Sequence, residues 1–117
     1  MTGRTKDRRQ TMPIMQHELY ANPNPRSRRA FPFVVVLQAD LAEGDRRLVA
    51  PVAPYVAPFT SVQTRALPLI EHDAERYAVA LPLISSLPRN VLRRAVGSLT
   101  DYRDDITRAL DWLFFGI

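Results

Sequence analysis

A chain of 117 residues, 46% of them hydrophobic, has room for one domain with a modest core and no more. It contains no cysteine, which excludes disulfides, thiolate metal sites and thiol nucleophiles. The net charge of +4 is unevenly placed: residues 1–33 carry seven basic and two acidic side chains, residues 34–117 nine basic and ten acidic. A near-neutral body lacks the basic patch of a nucleic-acid-binding domain, so no direct sequence-specific nucleic-acid binding is expected.

Residues 1–14 are polar and charged, with Arg4, Lys6, Arg8 and Arg9 and no hydrophobic periodicity, and read as a flexible basic leader. Residues 15–117 read as a single domain. No apolar run reaches the roughly 18 residues that span a bilayer, and no apolar segment follows the basic leader to make a signal peptide. A cytoplasmic protein with no membrane partner is expected.

Ile14 to Tyr20 predicts a short first strand. Ala21-Asn22-Pro23-Asn24-Pro25 cannot extend a ladder, because proline has no amide proton, and predicts a turn or loop. Phe31 to Gln38 contains the run Phe33-Val34-Val35-Val36-Leu37, β-branched and too short for a typical helix, and predicts the central buried strand. Asp40 to Asp45 predicts a turn in which Gly44 takes a positive φ, with Arg46 to Val52 returning as the hairpin partner. Leu41 and Ala42 then lie at a loop tip. From Val49 to Pro58 the prolines at 51, 54 and 58 favour extended, unpaired backbone, so this segment is expected as a surface loop or sheet edge.

Gln63 to Ile70 and Arg76 to Leu83 predict two further strands joined by Glu71-His72-Asp73-Ala74-Glu75. In the second, Tyr77, Val79 and Leu81 alternate with Ala78 and Ala80, so small side chains line one face. Ile84 to Leu99 is ambiguous by pattern, because Leu92, Ala95, Val96 and Leu99 have helical spacing.

Thr100 begins the most clearly patterned element. Its hydroxyl is placed to cap a helix, and Asp101, Asp104 and Asp105 put negative charge at the positive end of the helix dipole. At about 100° per residue, Tyr102, Ile106, Ala109, Leu110, Leu113 and Ile117 fall on one core-facing stripe. Phe115 points to the opposite face with Asp104, Arg108 and Asp111, while Trp112 lies at the border. Large aromatics left off a core stripe are either covered by another element of the chain or mark a protein-binding surface.

The ending Asp111-Trp112-Leu113-Phe114-Phe115-Gly116-Ile117 resembles the carboxyl terminus of the CcdB family of toxins, whose helix closes on an aromatic followed by Gly-Ile. Met15-Gln16 resembles the family's start. Gln38-Ala39-Asp40-Leu41-Ala42 and Gly44-Asp45-Arg46-Arg47-Leu48-Val49 resemble its second strand, loop and paired-arginine third strand, and Leu67-Pro68-Leu69-Ile70 with Arg76 to Pro82 its central hairpin. The resemblance covers residues 15–117. It implies a mainly β, α+β fold: an SH3-like β-barrel of CcdB/MazF type, antiparallel, with a carboxyl-terminal α-helix. Over Ile84 to Leu99 it implies a short strand and an extended connection instead of a helix.

Nothing in the chain singles out catalytic chemistry. The four glycines, at 3, 44, 97 and 116, form no phosphate loop, and the two histidines are His17, in the first strand, and His72, in a turn between carboxylates where a solvated surface group is expected. No enzyme activity, cofactor or metal is expected. The resemblance implies a homodimeric toxin of a type II toxin–antitoxin system that binds the A subunit of DNA gyrase and traps a cleaved-DNA complex, neutralised by a CcdA-like antitoxin. It assigns gyrase contact to Phe115, Gly116, Ile117, Asp111, Trp112, Leu41 and Ala42, and the dimer interface to Leu113, Gly116 and Ile117. Phe115 stands where the family carries tryptophan, Asp111 where it carries asparagine, and Leu41-Ala42 where it carries two isoleucines. Two other functions therefore stay open: a divergent member that keeps antitoxin binding with weak or no gyrase poisoning, and an mRNA-cleaving toxin of MazF type.

Overall fold

The computed structural model describes residues 13–39, 44–56 and 65–116. Among them are strands β1 (Glu18–Ala21), β2 (Phe33–Val36), β3 (Arg46–Pro54), β4 (Leu69–His72), β5 (Glu75–Val79), β6 (Ser85–Pro88) and β7 (Ala95–Ser98), and the helix α1 (Arg103–Phe115). They form one antiparallel sheet in the order β4-β5-β3-β2-β1-β7, with β6 paired to β3. The expected mainly β fold with a carboxyl-terminal helix is what the chain adopts.

The continuous apolar run of β2 is explained by its two neighbours and two covered faces. Val35 lies opposite Leu19 of β1 and Ala50 of β3, and all three enter the main core with Val52, Ile70, Val79, Leu81, Leu99 and the helix residues Ile106 and Ala109. Val34 and Val36 alternate to the other face, where they pack with Ile14, Tyr20, Val49 and Leu92. Ile14, at the end of the expected leader, is thus buried, whereas residues 1–12 lie outside the described residues.

The sheet curls until its outermost strands meet. His72 of β4 and Gly97 of β7 sit so close that a Cβ on Gly97 would lie 2.8 Å from Cε1 of the His72 ring. That ring stands edge-on to Phe33 at 5.2 Å and tilts against Tyr77 at 6.4 Å, with its side chain 12% exposed. The expectation of a solvated turn histidine is corrected: the turn is shorter than predicted, and His72 is the last residue of a strand whose side chain points into the curl.

Several boundaries move for physical reasons. The first strand starts at Glu18, not Ile14, because His17 adopts φ 69 in a turn where its N–H donates to the Val36 carbonyl and its carbonyl accepts the Leu99 N–H. Gln63 to Ile70 is not a strand throughout: Arg65 and Ala66 are helical and β4 begins at Leu69, with 63 and 64 outside the described residues. The strand expected to reach Leu83 ends at Val79 and gives way to a 3-10 turn, Leu81–Leu83, with Pro82 in its first turn. The Asp73-Ala74 turn has φ of 50° and 65°, the two positive values of a type I′ hairpin, and Gly44 takes the positive φ expected of it. Ile84 to Leu99 holds no α-helix: β6, a 3-10 turn at Arg89–Val91, and β7 occupy it.

The largest departure is at the prolines. Val49 to Pro58 was expected as a loop or edge, yet β3 runs through Pro51 to Pro54, and only 57 and 58 lie outside the described residues. Leu37 N–H donates to the Leu48 carbonyl, so by alternation the Val34–Pro51 pair is one that exchanges no hydrogen bonds. The Pro51 nitrogen therefore points away from β2, to where β6 has ended opposite Val49 and β5 has not yet begun opposite Val52. Only its carbonyl is needed there, and it accepts the Ala80 N–H at 2.8 Å.

Candidate functional site

The helix that carries the expected site is joined to the sheet at its start. Thr100 to Tyr102 form a 3-10 turn, and α1 proper begins at Arg103. The expected Thr100 side-chain cap is not made: its Oγ1 lies 2.7 Å from Ser98 Oγ, and Thr100 instead offers its carbonyl to the Arg103 N–H and, at 3.0 Å, to the Arg103 guanidinium. Asp104 and Asp105 occupy the first helical turn as expected, favourable against the dipole. Tyr102 ties this end to the outer strand, its hydroxyl accepting the Glu71 N–H at 3.1 Å.

The two faces of α1 divide as the spacing predicts. Ile106 and Ala109 are buried, and Tyr102, Leu110 and Leu113 pack against the same core while half-buried. Asp104, Arg108, Asp111 and Phe115 are exposed on the other side, with Arg108 3.4 Å from Asp105. Burial of Ile106 contributes about 1.5–3 kcal/mol, with smaller contributions from Ala109 and from the half-buried members of the stripe.

At the far end the core stops before the helix does. Phe115 is 73% exposed and Phe114 64%. Gly116 ends the helix with φ 72, a left-handed cap whose N–H donates to the Trp112 carbonyl at 2.9 Å. Trp112 is half-buried and lies under the exposed Arg65, whose guanidinium carbon is 5.7 Å from the ring centroid.

Of the residues assigned to partner contact, the structure gathers Asp111, Trp112, Phe115 and Gly116 on the last turn. Leu113 joins them in sequence but turns to the core. Leu41, Ala42 and Ile117 lie outside the described residues. Sequence reasoning passed over Phe114, about a quarter turn off the stripe, and Arg65. The signal for Phe114 was its place in the final turn, beyond the last residue that the sheet can cover. No sequence signal pointed to Arg65, which meets Trp112 only through the fold.

Among the described residues no three His, Cys, Asp or Glu side chains come together to hold a metal ion, and no helix is long and apolar enough to cross a membrane. Comparison with curated proteins finds no match. A family model described as CcdB protein matches residues 16–116, nearly the whole chain. The chain therefore belongs to the CcdB family, the non-catalytic toxins of toxin–antitoxin pairs.

Proposed function

We propose that this protein poisons DNA gyrase: as a homodimer in the cytoplasm it binds the gyrase A subunit, traps the cleaved-DNA complex, and is neutralised by a CcdA-like antitoxin. The observation that supports this most is the pair of phenylalanine rings left in solvent at the end of a helix whose other face is taken up by the core. Exposed rings at a rigid helix end lose little conformational freedom when a partner covers them. An arginine on the partner stacked on Phe115 would contribute about 0.5 to 2 kcal/mol, depending on desolvation.

Asp111, one turn before Phe115 and exposed, offers a carboxylate to the same cation. Leu41, Ala42 and Ile117 complete the gyrase contact in this reading, and Leu113, Gly116 and Ile117 the contact between the two copies. A two-fold axis beside the helix ends would double the aromatic surface into one patch.

The test is a pull-down of purified gyrase A subunit by wild type and Phe115→Ala, with gyrase-dependent DNA cleavage as a second readout. Truncating a central aromatic is expected to cost about 2 kcal/mol or more, roughly a thirtyfold loss of affinity. Equal capture and equal cleavage by the folded variant would remove Phe115 from the contact. Failure of wild type to retain gyrase at all would favour a member that binds only its antitoxin.

A further inference from the structure

The connection between β1 and β2 is a built platform. Asn22, 5% exposed, donates from Nδ2 to Ser27 Oγ at 3.0 Å and to the Phe31 carbonyl at 2.8 Å, and accepts the Asn24 N–H on Oδ1 at 3.0 Å. Asn24 in turn accepts the Arg26 N–H, and the Phe31 N–H donates to the Ser27 carbonyl at 2.8 Å. Pro23 and Pro25 remove further backbone freedom. The side chains that this frame presents to solvent are Arg26, Arg28 and Arg29.

Two more arginines arrive from a distant part of the chain. Strand β7 pairs antiparallel with β1 so that its first residue, Ala95, lies opposite Tyr20, and the exposed Arg93 and Arg94 immediately precede that pair at the end of β1 from which the loop departs. Arg28 reaches into the same place, its Nε donating to the Asn22 carbonyl at 3.0 Å. Neither 19–39 nor 76–100 contains an acidic residue. Among the described residues none of the five is ion-paired, the carboxylates of the β4–β5 hairpin included. The near-neutral body of the linear sequence is therefore misleading: three of its arginines were counted with the leader, and strand pairing brings the loop that carries them to the same end of β1 as the segment that carries two others.

We infer that Arg26, Arg28, Arg29, Arg93 and Arg94, held side by side by the β1–β2 loop and the segment entering β7, form a sequence-independent binding surface for a nucleic-acid phosphate backbone. Guanidinium forks match phosphate oxygens, and a fixed loop presents them on backbone that is already ordered, so that only the side chains have to be fixed on binding. The loop from 22 to 30 offers no large apolar side chain. A peptide partner of ordinary composition draws its affinity from such anchors, whereas binding to a phosphate backbone draws on charge and counterion release. The surface shares no residue with the aromatic helix end, so it stands or falls apart from the gyrase reading.

The experiment follows the anisotropy of a fluorescent DNA duplex of about two helical turns, in two unrelated sequences, as salt rises from about 50 to 200 mM. Five phosphate contacts contribute about −4.5 to the slope of log K against log salt, equally for both sequences. Arg26→Gln, Arg29→Gln, Arg93→Gln and Arg94→Gln combined, which keep the Arg28 hydrogen bond, are expected to remove about 3.6 of it. Should that variant misfold by circular dichroism, Arg93→Gln with Arg94→Gln, which leave the platform loop untouched, is expected to remove about 1.8. An unchanged slope in the folded variants overturns the inference. So does loss of all binding when Arg4, Lys6, Arg8 and Arg9 of the leader are changed to Gln instead. Polyglutamate that displaces the duplex as well as unlabelled DNA at equal charge would reassign the surface to an acidic polypeptide.

Discussion

Gly97→Ala tests whether the sheet closes where the geometry says it does. The backbone at Gly97 is not in the left-handed region, so alanine brings no conformational strain, and the effect is steric. Its Cβ would fall 2.8 Å from His72 Cε1, 3.1 Å from Nδ1 and 3.8 Å from Leu19 Cδ2. A flexible side chain would swing aside, but the His72 ring is wedged edge-on to Phe33 at 5.2 Å and is 12% exposed. Overpacking of this kind costs about 1–3 kcal/mol. In a chain of this size that is a fall in melting temperature of about 3–6 °C per kcal/mol. The decisive assay is a double-mutant cycle in urea. In a His72→Ala background the ring is gone, and Gly97→Ala should then cost less than about 0.5 kcal/mol, leaving a coupling of about 0.5–3 kcal/mol. Equal costs of Gly97→Ala in the two backgrounds would show that the outer strands do not meet at these residues.

Ala74→Gly should raise stability by about 1 kcal/mol, since Ala74 holds φ 65 in a hairpin turn whose second position favours glycine; a thermal melt no higher than wild type would contradict the turn type. Phe115→Ala should change unfolding free energy by less than about 0.5 kcal/mol, while Ile106→Ala, fully buried on the same helix, should cost about 2–5; comparable losses in urea melts would mean that the ring is covered. Burial, the hydrogen bond to Glu18 and the Glu18 charge, in that order, raise the pKa of Tyr20 above its ordinary value near 10. The folded state thus holds the Tyr20 proton where the unfolded chain releases it, and the stability this provides is complete below about pH 10 and is lost as pH rises further. Denaturation at about pH 9 and pH 11 should show that loss in wild type and a shallower one in Tyr20→Phe.

What could be read from the linear chain depended on how local the cause was. The stripe Ile106, Ala109, Leu110, Leu113 is a property of thirteen consecutive residues, and the helix kept it. The β2 run was equally clear, because five adjacent apolar residues, three of them β-branched, are too few for a typical helix and suit a strand covered on both sides. Pro51 misled because its tolerance depends on β6 leaving and β5 arriving at that one position, which no local pattern carries. His72 misled for a similar reason: a histidine between carboxylates looks solvated until the curl brings Phe33 and Gly97 to it from other strands. At the site, Phe115 followed from the wheel, whereas Phe114 and Arg65 depended on where the sheet ends beneath the helix.

The same division bears on how such a surface can vary. Ile106 and Ala109 are buried in a core to which five strands and the Leu81–Leu83 turn contribute, so substitution there is opposed by stability. Asp111, Phe114 and Phe115 meet no such opposition, because each is exposed and none is needed to hold the helix down. A tryptophan in place of Phe115, or an asparagine in place of Asp111, would therefore leave the scaffold unaffected and alter only what the helix end presents. Gly116 is the exception on this turn: its φ of 72 fixes where the chain leaves the rings, and a side chain there would strain the cap although the space around it is open. The two phenylalanines are free to change in chemistry, but their position is set by the core on one side and by this glycine on the other.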